Sequence, residues 1–285
     1  MTTEAGSPAV PTGPLVILGT TAAGCAKEDH FRTPFGPLAG KAAIVTGGGQ
    51  GVGRGIALAL AGAGARVVVC GRTEPTLDAV RKEIEARGGT ALTIRCDVTV
   101  PADLIRLVEL TVAAFGTVDI LVNSAMTVPF GTLLDISEET IAAGWESGPL
   151  AALRLMRLCH PYLRGGGSVV NVSSGASIAP MTHDRAVYAA TKAALNSISR
   201  GAAVEWGPDG IRVNTIMPFA HSPALERFAA DEPAAMADVL ATIPLRRTGD
   251  PESDIGQAAV FLASPAAAYI TGAILPVDGG AAYVR

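Results

Sequence analysis

The sequence predicts an α/β protein built on one parallel sheet, with helices on both of its faces. Short β-branched runs alternate with longer helical patterns from Lys41 onward, which is the order expected of repeated strand–helix–strand units. Several runs are apolar throughout, as in strands that helices cover on both sides. A glycine-rich turn joins the first run to the first helix. These observations predict a doubly wound α/β fold in a single domain.

The individual elements follow from this alternation in chain order. Strands are expected at 43–46, 66–70, 91–95, 119–122, 168–172, 212–216 and 273–276. Helices are expected at 51–63, 75–87, 101–115, 138–163, 186–206 and 251–263. No internal repeat or Ser/Pro-rich linker separates them, so residues 38–285 are expected to form one domain. The irregular, Ala-rich segment 219–249 follows a strand end, where ligands bind in such sheets, and is a candidate substrate lid.

Composition excludes several classes of protein. The 22 Lys and Arg nearly balance the 26 Asp and Glu, which leaves no field for a non-specific nucleic-acid binder. A hydrophobic share of 49% with 17% charged residues excludes wholesale disorder. No apolar run approaches the roughly 18 to 20 residues of a membrane span. We therefore expect a folded protein without a nucleic-acid or membrane partner.

The first residues and the cysteines bear on location. Residues 1–37 are rich in Pro and Gly and are expected to form a flexible arm. An apolar stretch before Cys25 faintly resembles an export signal, but no Lys or Arg precedes it, whereas a secretory signal begins with positive charge. The four cysteines lack the spacing of zinc ligands or of a disulfide framework. A reducing, cytoplasmic location is expected.

The turn after the first predicted strand suits the pyrophosphate of a dinucleotide. It opens directly into an amphipathic helix and reads Thr46-Gly47-Gly48-Gly49-Gln50-Gly51-Val52-Gly53. Glycines allow a sharp turn and close approach of the backbone to the anion, while the first N–H groups of the helix face the phosphates. A plain turn is the alternative, but the strand before and the helix after favour nucleotide binding.

The end of the second predicted strand bears on the choice of dinucleotide. It reads Cys70-Gly71-Arg72, with Gly71 about where an acidic residue would bind the ribose 2′-hydroxyl of NAD. The guanidinium of Arg72 suits the 2′-phosphate of NADP instead. The alternative interpretation is that Arg72 is a solvent-exposed loop residue that binds no phosphate. We favour NADP(H), with NAD(H) as the alternative cofactor.

A tyrosine, a lysine and a serine form a candidate catalytic group. Tyr188 and Lys192 stand four residues apart in a predicted helix, which puts both side chains on one face. A neighbouring ammonium favours the phenolate and so lowers the pKa of a tyrosine. Ser173 and Ser174 follow a predicted strand that ends at the same rim as the glycine turn. The alternatives are that Tyr188 and Lys192 are only an exposed pair on a helix surface and that the serines only cap a turn. The combined pattern favours Tyr188 as a general acid–base.

Together these motifs resemble those of the short-chain dehydrogenase/reductase family, over residues 38–285. The resemblance rests on Thr46-Gly47-x-x-x-Gly51-x-Gly53, Asp97-Val98, Ser174, Tyr188-x-x-x-Lys192, Asn214 before Pro218, and Val277-Asp278-Gly279-Gly280. It implies a Rossmann-type sheet of seven parallel strands and an oxidoreductase that uses NAD(P).

The resemblance also implies roles for individual residues. Tyr188 would exchange a proton with the substrate oxygen, Ser174 would hold that oxygen, and Lys192 would lower the pKa of Tyr188 and bind the nicotinamide ribose. Further cofactor contacts are expected at the glycine turn and the strand ends, from Gly47, Gln50, Gly51, Val52, Gly53, Arg72, Asp97, Val98, Asn123, Ala125 and Pro218.

The sequence departs from the family pattern at several positions. The wall after the fourth strand reads Asn123-Ser124-Ala125-Met126 instead of Asn-Asn-Ala-Gly. Trp145 stands where the family's catalytic asparagine is expected, so Glu146, Ser147 or a water on backbone carbonyls would have to serve the proton relay. Phe219 replaces the usual glycine after Pro218, and the spacing from Ser174 to Tyr188 is one residue longer than expected. Both changes indicate a reshaped pocket.

The candidate substrate pocket is assembled from loop residues near these positions, namely Met126, Trp145, Met181, His183, Phe219 and His221. Its apolar members favour a small hydrophobic carbonyl or alcohol. His183, Asp184 and His221 are interpreted as surface loop residues and not as a metal site.

The hypothesis we favour is an NADP(H)-dependent oxidoreductase that interconverts a ketone and a secondary alcohol. A 3-oxoacyl carrier-protein reductase and an imine reductase are related alternatives. A dinucleotide-binding sensor without turnover is the alternative from another class; Trp145 motivates it, and Ser174, Tyr188 and Lys192 oppose it. The resemblance implies a homotetramer formed through the two long helices and the last strand, although their apolar residues would also suit a core.

Overall fold

The computed structural model describes residues 36–178 and 184–282, which belong to one compact unit. Its sheet has seven parallel strands in the order β3-β2-β1-β4-β5-β6-β7, so the chain winds outward in both directions from the centre. The strands are β1 (Ala42–Thr46), β2 (Arg66–Gly71), β3 (Thr90–Arg95), β4 (Ile120–Asn123), β5 (Ser168–Val172), β6 (Arg212–Pro218) and β7 (Ile274–Val277). The predicted fold class, a doubly wound Rossmann-type α/β sheet, is confirmed.

Strand register brings the functional loops together. In β1 and β2 the pairing runs from Ala42 opposite Arg66 to Thr46 opposite Cys70. The pairing of β4 with β5 ends with Asn123 opposite Asn171. Because all strands run the same way, the loops after β1, β2, β3, β4, β5 and β6 open at one edge of the sheet.

Helices cover the two faces of the sheet. They are α1 (Gly51–Gly62), α2 (Glu74–Ala86), α3 (Pro101–Phe115), α4 (Glu138–Trp145), α5 (Ala151–Leu163), α6 (Ala186–Trp206), α7 (Pro223–Asp231), α8 (Pro233–Thr242) and α9 (Gln257–Ala263). One buried core joins the sheet to α1, α2 and α9, and a second joins it to α3, α5 and α6. Apolar strand residues such as Val68 and Val69 point to opposite cores, as the period of two requires.

The helix predicted at 138–163 is interrupted, which corrects the sequence-based expectation. A π-helical turn, Glu146–Leu150, separates α4 from α5. Gly148 takes a non-helical conformation, with φ −92° and ψ −106°, and Pro149 has no N–H to donate to the preceding turn. A similar π-helical turn, Pro251–Gly256, precedes α9 within the helix predicted at 251–263.

The segment 219–249 is more regular than the sequence indicated. It contains α7 and α8, and the side chain of Ser222 caps α7 by accepting a hydrogen bond from the backbone N–H of Leu225. A parallel bridge between Ala220 and Gly249 closes its base. A role for this segment as a substrate lid stays a prediction.

The domain begins close to the predicted boundary. Leu38 is buried, and its backbone N–H donates to the carbonyl oxygen of Ala63 at 3.0 Å. The arm predicted over residues 1–37 lies outside the described residues except for its last two. Within the described ranges, no helix has the length and apolar character needed to cross a membrane.

Candidate active site

The glycine turn after β1 is shaped by positions where no side chain fits. Gly47 has a φ of 66°, and a Cβ there would lie 3.0 Å from the Cα of Ala125. Gly53 lies in the first turn of α1, where a Cβ would approach the carbonyl oxygen of Gly47 to 2.3 Å. The backbone of the turn therefore packs directly against Ala125, in the segment after β4 that forms a wall of the site, and against the start of α1. Gly51 and Val52 complete the first turn of α1.

A cleft of about 180 Å³ opens beside this turn. Seven residues predicted from the sequence to touch cofactor or substrate line it: Gly47, Gln50, Arg72, Asp97, Val98, Ala125 and Met126. Thr73, Thr76, Cys96, Thr99 and Ser147 also line it, and sequence reasoning did not single them out as contacts. The cleft thus joins the ends of β1, β2, β3 and β4.

Asp97 is held as a carboxylate at the floor of the cleft. Its Oδ1 accepts hydrogen bonds from the backbone N–H of Thr99 at 3.0 Å and from the Thr99 hydroxyl at 2.7 Å. These bonds, helped by the charge of Arg72, lower the pKa of Asp97 below its ordinary value. An ionised carboxylate is an acceptor for hydroxyl and amino donors.

The wall after β4 is fixed by side chains from neighbouring strands. The Thr46 hydroxyl oxygen accepts from the backbone N–H groups of Ser124 and Ala125, each at 3.0 Å. Asn123 is buried, and its amide donates to Asn171 Oδ1 at 2.8 Å. Asn123 therefore supports the wall from behind, and Ala125 forms its surface in the cleft.

Tyr188, Lys192 and Ser174 are brought together at the junction of β5 and α6. The Nζ of Lys192 lies 5.9 Å from the centroid of the Tyr188 ring and donates to the Val172 carbonyl oxygen at 2.6 Å. Burial lowers the pKa of Lys192 to about 8. Ser174 follows β5, and its side chain lies close enough to the Tyr188 phenol to lower the pKa of Tyr188. The two hydroxyls therefore meet at the open edge of the sheet.

The expected influence of Lys192 on Tyr188 is corrected by the structure. Burial raises the pKa of Tyr188 above its ordinary value of 10.0, and the groups that lower it are the Ser174 hydroxyl and the charge of Arg185. The ammonium of Lys192 lies over the ring face and is engaged by the Val172 carbonyl. In this arrangement Tyr188 is a neutral phenol near pH 7.

The turn that carries Ser174 is fastened to α6 by residues that the sequence did not mark as functional. The Ser177 hydroxyl donates to the Ser174 carbonyl oxygen at 2.7 Å, and the Asn196 amide donates to the Ser177 hydroxyl at 2.9 Å. Asn196 stands one helical turn beyond Lys192. The spacing of 188, 192 and 196 on one helix face is the pattern from which the sequence could have indicated a role for Asn196.

The π-helical turn, and not Trp145, faces Lys192. A second cavity, of about 10 Å³, is lined by Lys192, Ser147 and Gly148 among others, and a space of that size holds about one water molecule. Trp145 is 36% exposed and is not among the residues that line either cavity. The alignment of Trp145 with the family's asparagine stays a prediction, and in the structure Ser147 and Gly148, not Trp145, line the cavity beside Lys192. Ser147 is engaged: its hydroxyl accepts from the Thr127 N–H at 2.9 Å and donates to the Ala143 carbonyl.

The remaining candidate pocket residues are only partly placed near the site. Phe219 continues from Pro218, the last residue of β6, and its backbone N–H donates to the Val277 carbonyl oxygen at 3.2 Å. His221 is exposed, and its Nε2 hydrogen-bonds with the Thr248 hydroxyl at 2.7 Å. Met181 and His183 lie outside the described residues. In the part of the chain that the structure describes, no group of three or more His, Cys, Asp or Glu is arranged to hold a metal ion.

Comparisons with known proteins agree with this geometry. A family model described as enoyl-(acyl carrier protein) reductase matches residues 47–282. The chain is 39% identical over 255 residues to a 12α-hydroxysteroid dehydrogenase of a Clostridium species, covering 86% of this chain and 98% of the relative.

Two solved structures share the fold. A 7α-hydroxysteroid dehydrogenase complexed with NADH and 7-oxo glycochenodeoxycholic acid matches with a TM-score of 0.82 at 36% identity, covering 86% of this chain and 95% of that one. A short chain dehydrogenase from Burkholderia cenocepacia in complex with NADP matches with a TM-score of 0.79 at 31% identity, covering 86% and 99%. The chain therefore belongs to the short-chain dehydrogenase/reductase family of oxidoreductases.

Proposed function

We propose that the protein interconverts a ketone and a secondary alcohol with NADP(H), using Tyr188 as the general acid–base. The observation that carries the proposal is the closeness of the Ser174 and Tyr188 side chains beside Lys192. Two hydroxyl groups at one point are suited to holding a carbonyl oxygen and exchanging a proton with it.

The roles follow from the protonation states of the three side chains. With Tyr188 neutral, its hydroxyl donates a proton to the developing alkoxide during ketone reduction, while Ser174 keeps the oxygen in place. Lys192 is charged below about pH 8 and lies beside a cavity that holds about one water. That water, held by backbone carbonyls of the π-helical turn, would carry the proton relay that the family assigns to an asparagine. A bound nicotinamide dinucleotide supplies or accepts the hydride.

The cleft fits such a dinucleotide. The glycine turn offers bare backbone and the first N–H groups of α1 to a pyrophosphate, and Asp97 offers an ionised acceptor. Arg72 lines the same cleft directly after Gly71, where a carboxylate would favour NAD. This supports a preference for NADP(H) over NAD(H).

The similar proteins support an alicyclic substrate. The relative from a Clostridium species acts on a 12α-hydroxysteroid, and the 7α-hydroxysteroid dehydrogenase holds a 7-oxo bile acid. In both cases the reacting oxygen is borne by a ring carbon. We therefore infer a small hydrophobic ring ketone or alcohol for this protein.

The proposal is tested by following NADPH oxidation with a panel of cyclic ketones, 3-oxo steroids, 3-oxoacyl thioesters and cyclic imines. Tyr188→Phe removes the hydroxyl and is expected to lower kcat by roughly 100- to 10,000-fold. Tyr269→Phe, at a fully exposed tyrosine, is the matched control and is expected to keep the native rate. Tight NADPH binding without Tyr188-dependent turnover of any panel member would instead support the sensor hypothesis.

The cofactor preference is tested at Arg72. Arg72→Ala is expected to raise the KM for NADPH by about 10- to 100-fold, the value of one charge-assisted contact, and to leave the KM for NADH nearly unchanged. Arg81→Ala removes the same charge from the outer face of α2, where Arg81 pairs with Glu85, and is expected to change neither KM. Equal effects of Arg72→Ala on both cofactors would refute the NADP(H) preference.

The assembly and the location also belong to this proposal. We expect a homotetramer formed through α5, α6 and β7, which agrees with the 79% exposure of Val204 on α6. Light scattering coupled to size exclusion measures the mass directly, and a monomer at micromolar concentration would contradict it. A cytoplasmic location stays a prediction.

A further inference from the structure

One arginine beside the catalytic tyrosine has no matching anion in the described structure. Arg185 is the residue immediately before α6 and stands three positions before Tyr188. Its Nε is buried and, among the described residues, has no hydrogen-bond partner. A buried donor without a partner is costly, so its presence calls for an explanation.

Other arginines of the protein pair with carboxylates. Arg54 meets Glu83, Arg154 meets Glu146 and Arg247 meets Asp254. These pairs lie at helix surfaces, where an ion pair contributes little to stability. Arg66 also has a buried Nε without a partner and stacks on Phe115, but it stands at the start of β2 and donates to the Gly40 carbonyl oxygen at 3.0 Å. What distinguishes Arg185 is its position beside Tyr188.

The Arg185 guanidinium is held in a defined orientation. Its central carbon lies 5.1 Å from the centroid of the Phe130 ring, a stacking distance for a cation on an aromatic face. Phe130 belongs to the loop between β4 and α4, and the next residue, Gly131, donates its backbone N–H to the Asp184 carbonyl oxygen at 3.0 Å. Two contacts therefore join the loop after β4 to the start of α6: the stacking of Arg185 on Phe130 and this backbone hydrogen bond.

Arg185 also lies close enough to Tyr188 to act on it. The charge of Arg185 lowers the pKa of Tyr188 against the effect of burial, which requires the guanidinium to lie near the phenol. A group bound to this guanidinium would therefore lie near the oxygen that Tyr188 and Ser174 are positioned to hold.

We propose that Arg185, stacked on Phe130, binds a carboxylate of the substrate that lies a few bonds from the reacting carbon. The inference rests on the proposed function and narrows its substrate class to hydrophobic oxo acids and hydroxy acids. A guanidinium forms two parallel hydrogen bonds with a carboxylate, and its flat face stacks on an aromatic ring, which lysine cannot do. The carboxylate supplies the partner that the buried Nε of Arg185 lacks.

The experiment compares acids with their uncharged amides. The probes are 4-oxopentanoate, 5-oxohexanoate, 3-oxocyclohexanecarboxylate and 4-oxocyclohexanecarboxylate, each beside its carboxamide, with NADPH as cofactor. For at least one pair we expect kcat/KM to favour the acid by about 10- to 100-fold, the value of a charged hydrogen bond. Arg185→Met should abolish this preference by raising the KM for the acid, whereas Arg185→Lys should keep part of it.

Arg81→Met removes a surface arginine from α2, where Arg81 pairs with Glu85, and is expected to keep the preference. Phe130→Leu removes the stacking ring and is expected to weaken it. The inference is overturned if no acid is favoured over its amide, if no acid is turned over or competes with a neutral ketone, or if Arg185→Met keeps the native ratio. Tyr188-dependent reduction of a neutral ring ketone by Arg185→Met would then leave the proposed function standing, so the two failures are distinguishable.

Discussion

The nucleotide side and the substrate side of the site are built in different ways. The nucleotide side consists of strand ends and bare backbone: Gly47 and Gly53 leave no room for side chains, and Thr46 holds the wall through two N–H groups. The proposed substrate side consists of loops with exposed apolar side chains, such as Phe130 at 50% exposure. Backbone geometry fixes the first side, and side-chain identity decides the second.

The catalytic residues stand between these two regions. Lys192 and Ser174 are fixed by β5 and α6, which belong to the buried framework, whereas Arg185 and Phe130 belong to the loops around it. If the proposed roles hold, proton transfer and cofactor binding depend on the buried framework, and the choice of substrate depends on loops that can change without unfolding it.

The largest expected effect is at Lys192, because the framework holds this ammonium away from water. Burial lowers its pKa from the ordinary 10.5 to about 8, so the folded protein disfavours the charged form. Between about pH 8 and 10.5 the unfolded chain binds more protons than the folded one, and stability rises with pH in that window. At about 1.4 kcal/mol per pKa unit, the free energy of unfolding should gain about 3 kcal/mol relative to Lys192→Met.

Urea unfolding of the native protein and of Lys192→Met at several pH values measures this difference. Lys192→Met is the reference because every other group titrates in both proteins, so their contributions cancel in the difference between the two free energies of unfolding. A constant difference between pH 8 and 10.5 would show that the ammonium is solvated, and that the junction is less closed than the structure indicates.

A smaller effect is expected from a methyl group on the nucleotide side. In Gly53→Ala the new Cβ would meet the Gly47 carbonyl oxygen at 2.3 Å, so the glycine turn must shift. Overpacking of this kind costs about 1–3 kcal/mol, which would weaken NADPH binding by up to about 100-fold. Fluorescence titration with NADPH measures the Kd.

Gly62→Ala is the matched control, because it lies in the same helix and its new Cβ would meet nothing within 4 Å. It is expected to leave the Kd unchanged and to stabilise the protein by up to about 1 kcal/mol, since alanine is the better helix former. If both variants bind NADPH equally well, the close packing of the turn does not govern cofactor binding.

The smallest effect is expected where the substrate side is attached to the framework. Ser147→Ala removes the acceptor for the Thr127 N–H and so frees the loop after β4 from the π-helical turn. The loss of one hydrogen bond costs about 1 kcal/mol, which corresponds to roughly a fivefold rise in the KM for the ketone. The KM for NADPH should change less, because Thr46 still holds the wall.

Ser137→Ala is the control for this variant. It removes the cap of α4, whose hydroxyl accepts from the Thr140 N–H at 3.2 Å, from an exposed position outside both cavities. We expect it to reduce stability without changing either KM. A similar rise in KM for both variants would mean that helix stability, and not the Thr127 contact, is responsible.

Features set by local sequence were well predicted. The strands and most helices begin and end close to the predicted residues, because apolar runs and helical periodicity act on neighbours in the chain. The glycine turn and Asp97 line the predicted cleft, since motifs at strand ends share one edge of a parallel sheet. Tyr188 and Lys192 share a helix, so their proximity followed from spacing alone.

Features set by contacts between distant segments were not predicted. The helix predicted at 138–163 is broken at Gly148, and this break lets Ser147 and Gly148 line the cavity beside Lys192. The pKa of Tyr188 was expected to fall beside Lys192, yet burial by surrounding elements raises it. Neither effect is visible in residue spacing.

The sequence by itself determined the order of strands and helices, the glycine turn and the candidates for proton transfer, because these depend on short spacings and on side-chain chemistry. The tertiary structure decided which residues face Lys192, what fastens Ser174 to α6, and that Arg185 lies on Phe130 beside Tyr188. Such contacts join residues far apart in the chain, and their geometry depends on how whole elements pack, which no local pattern encodes.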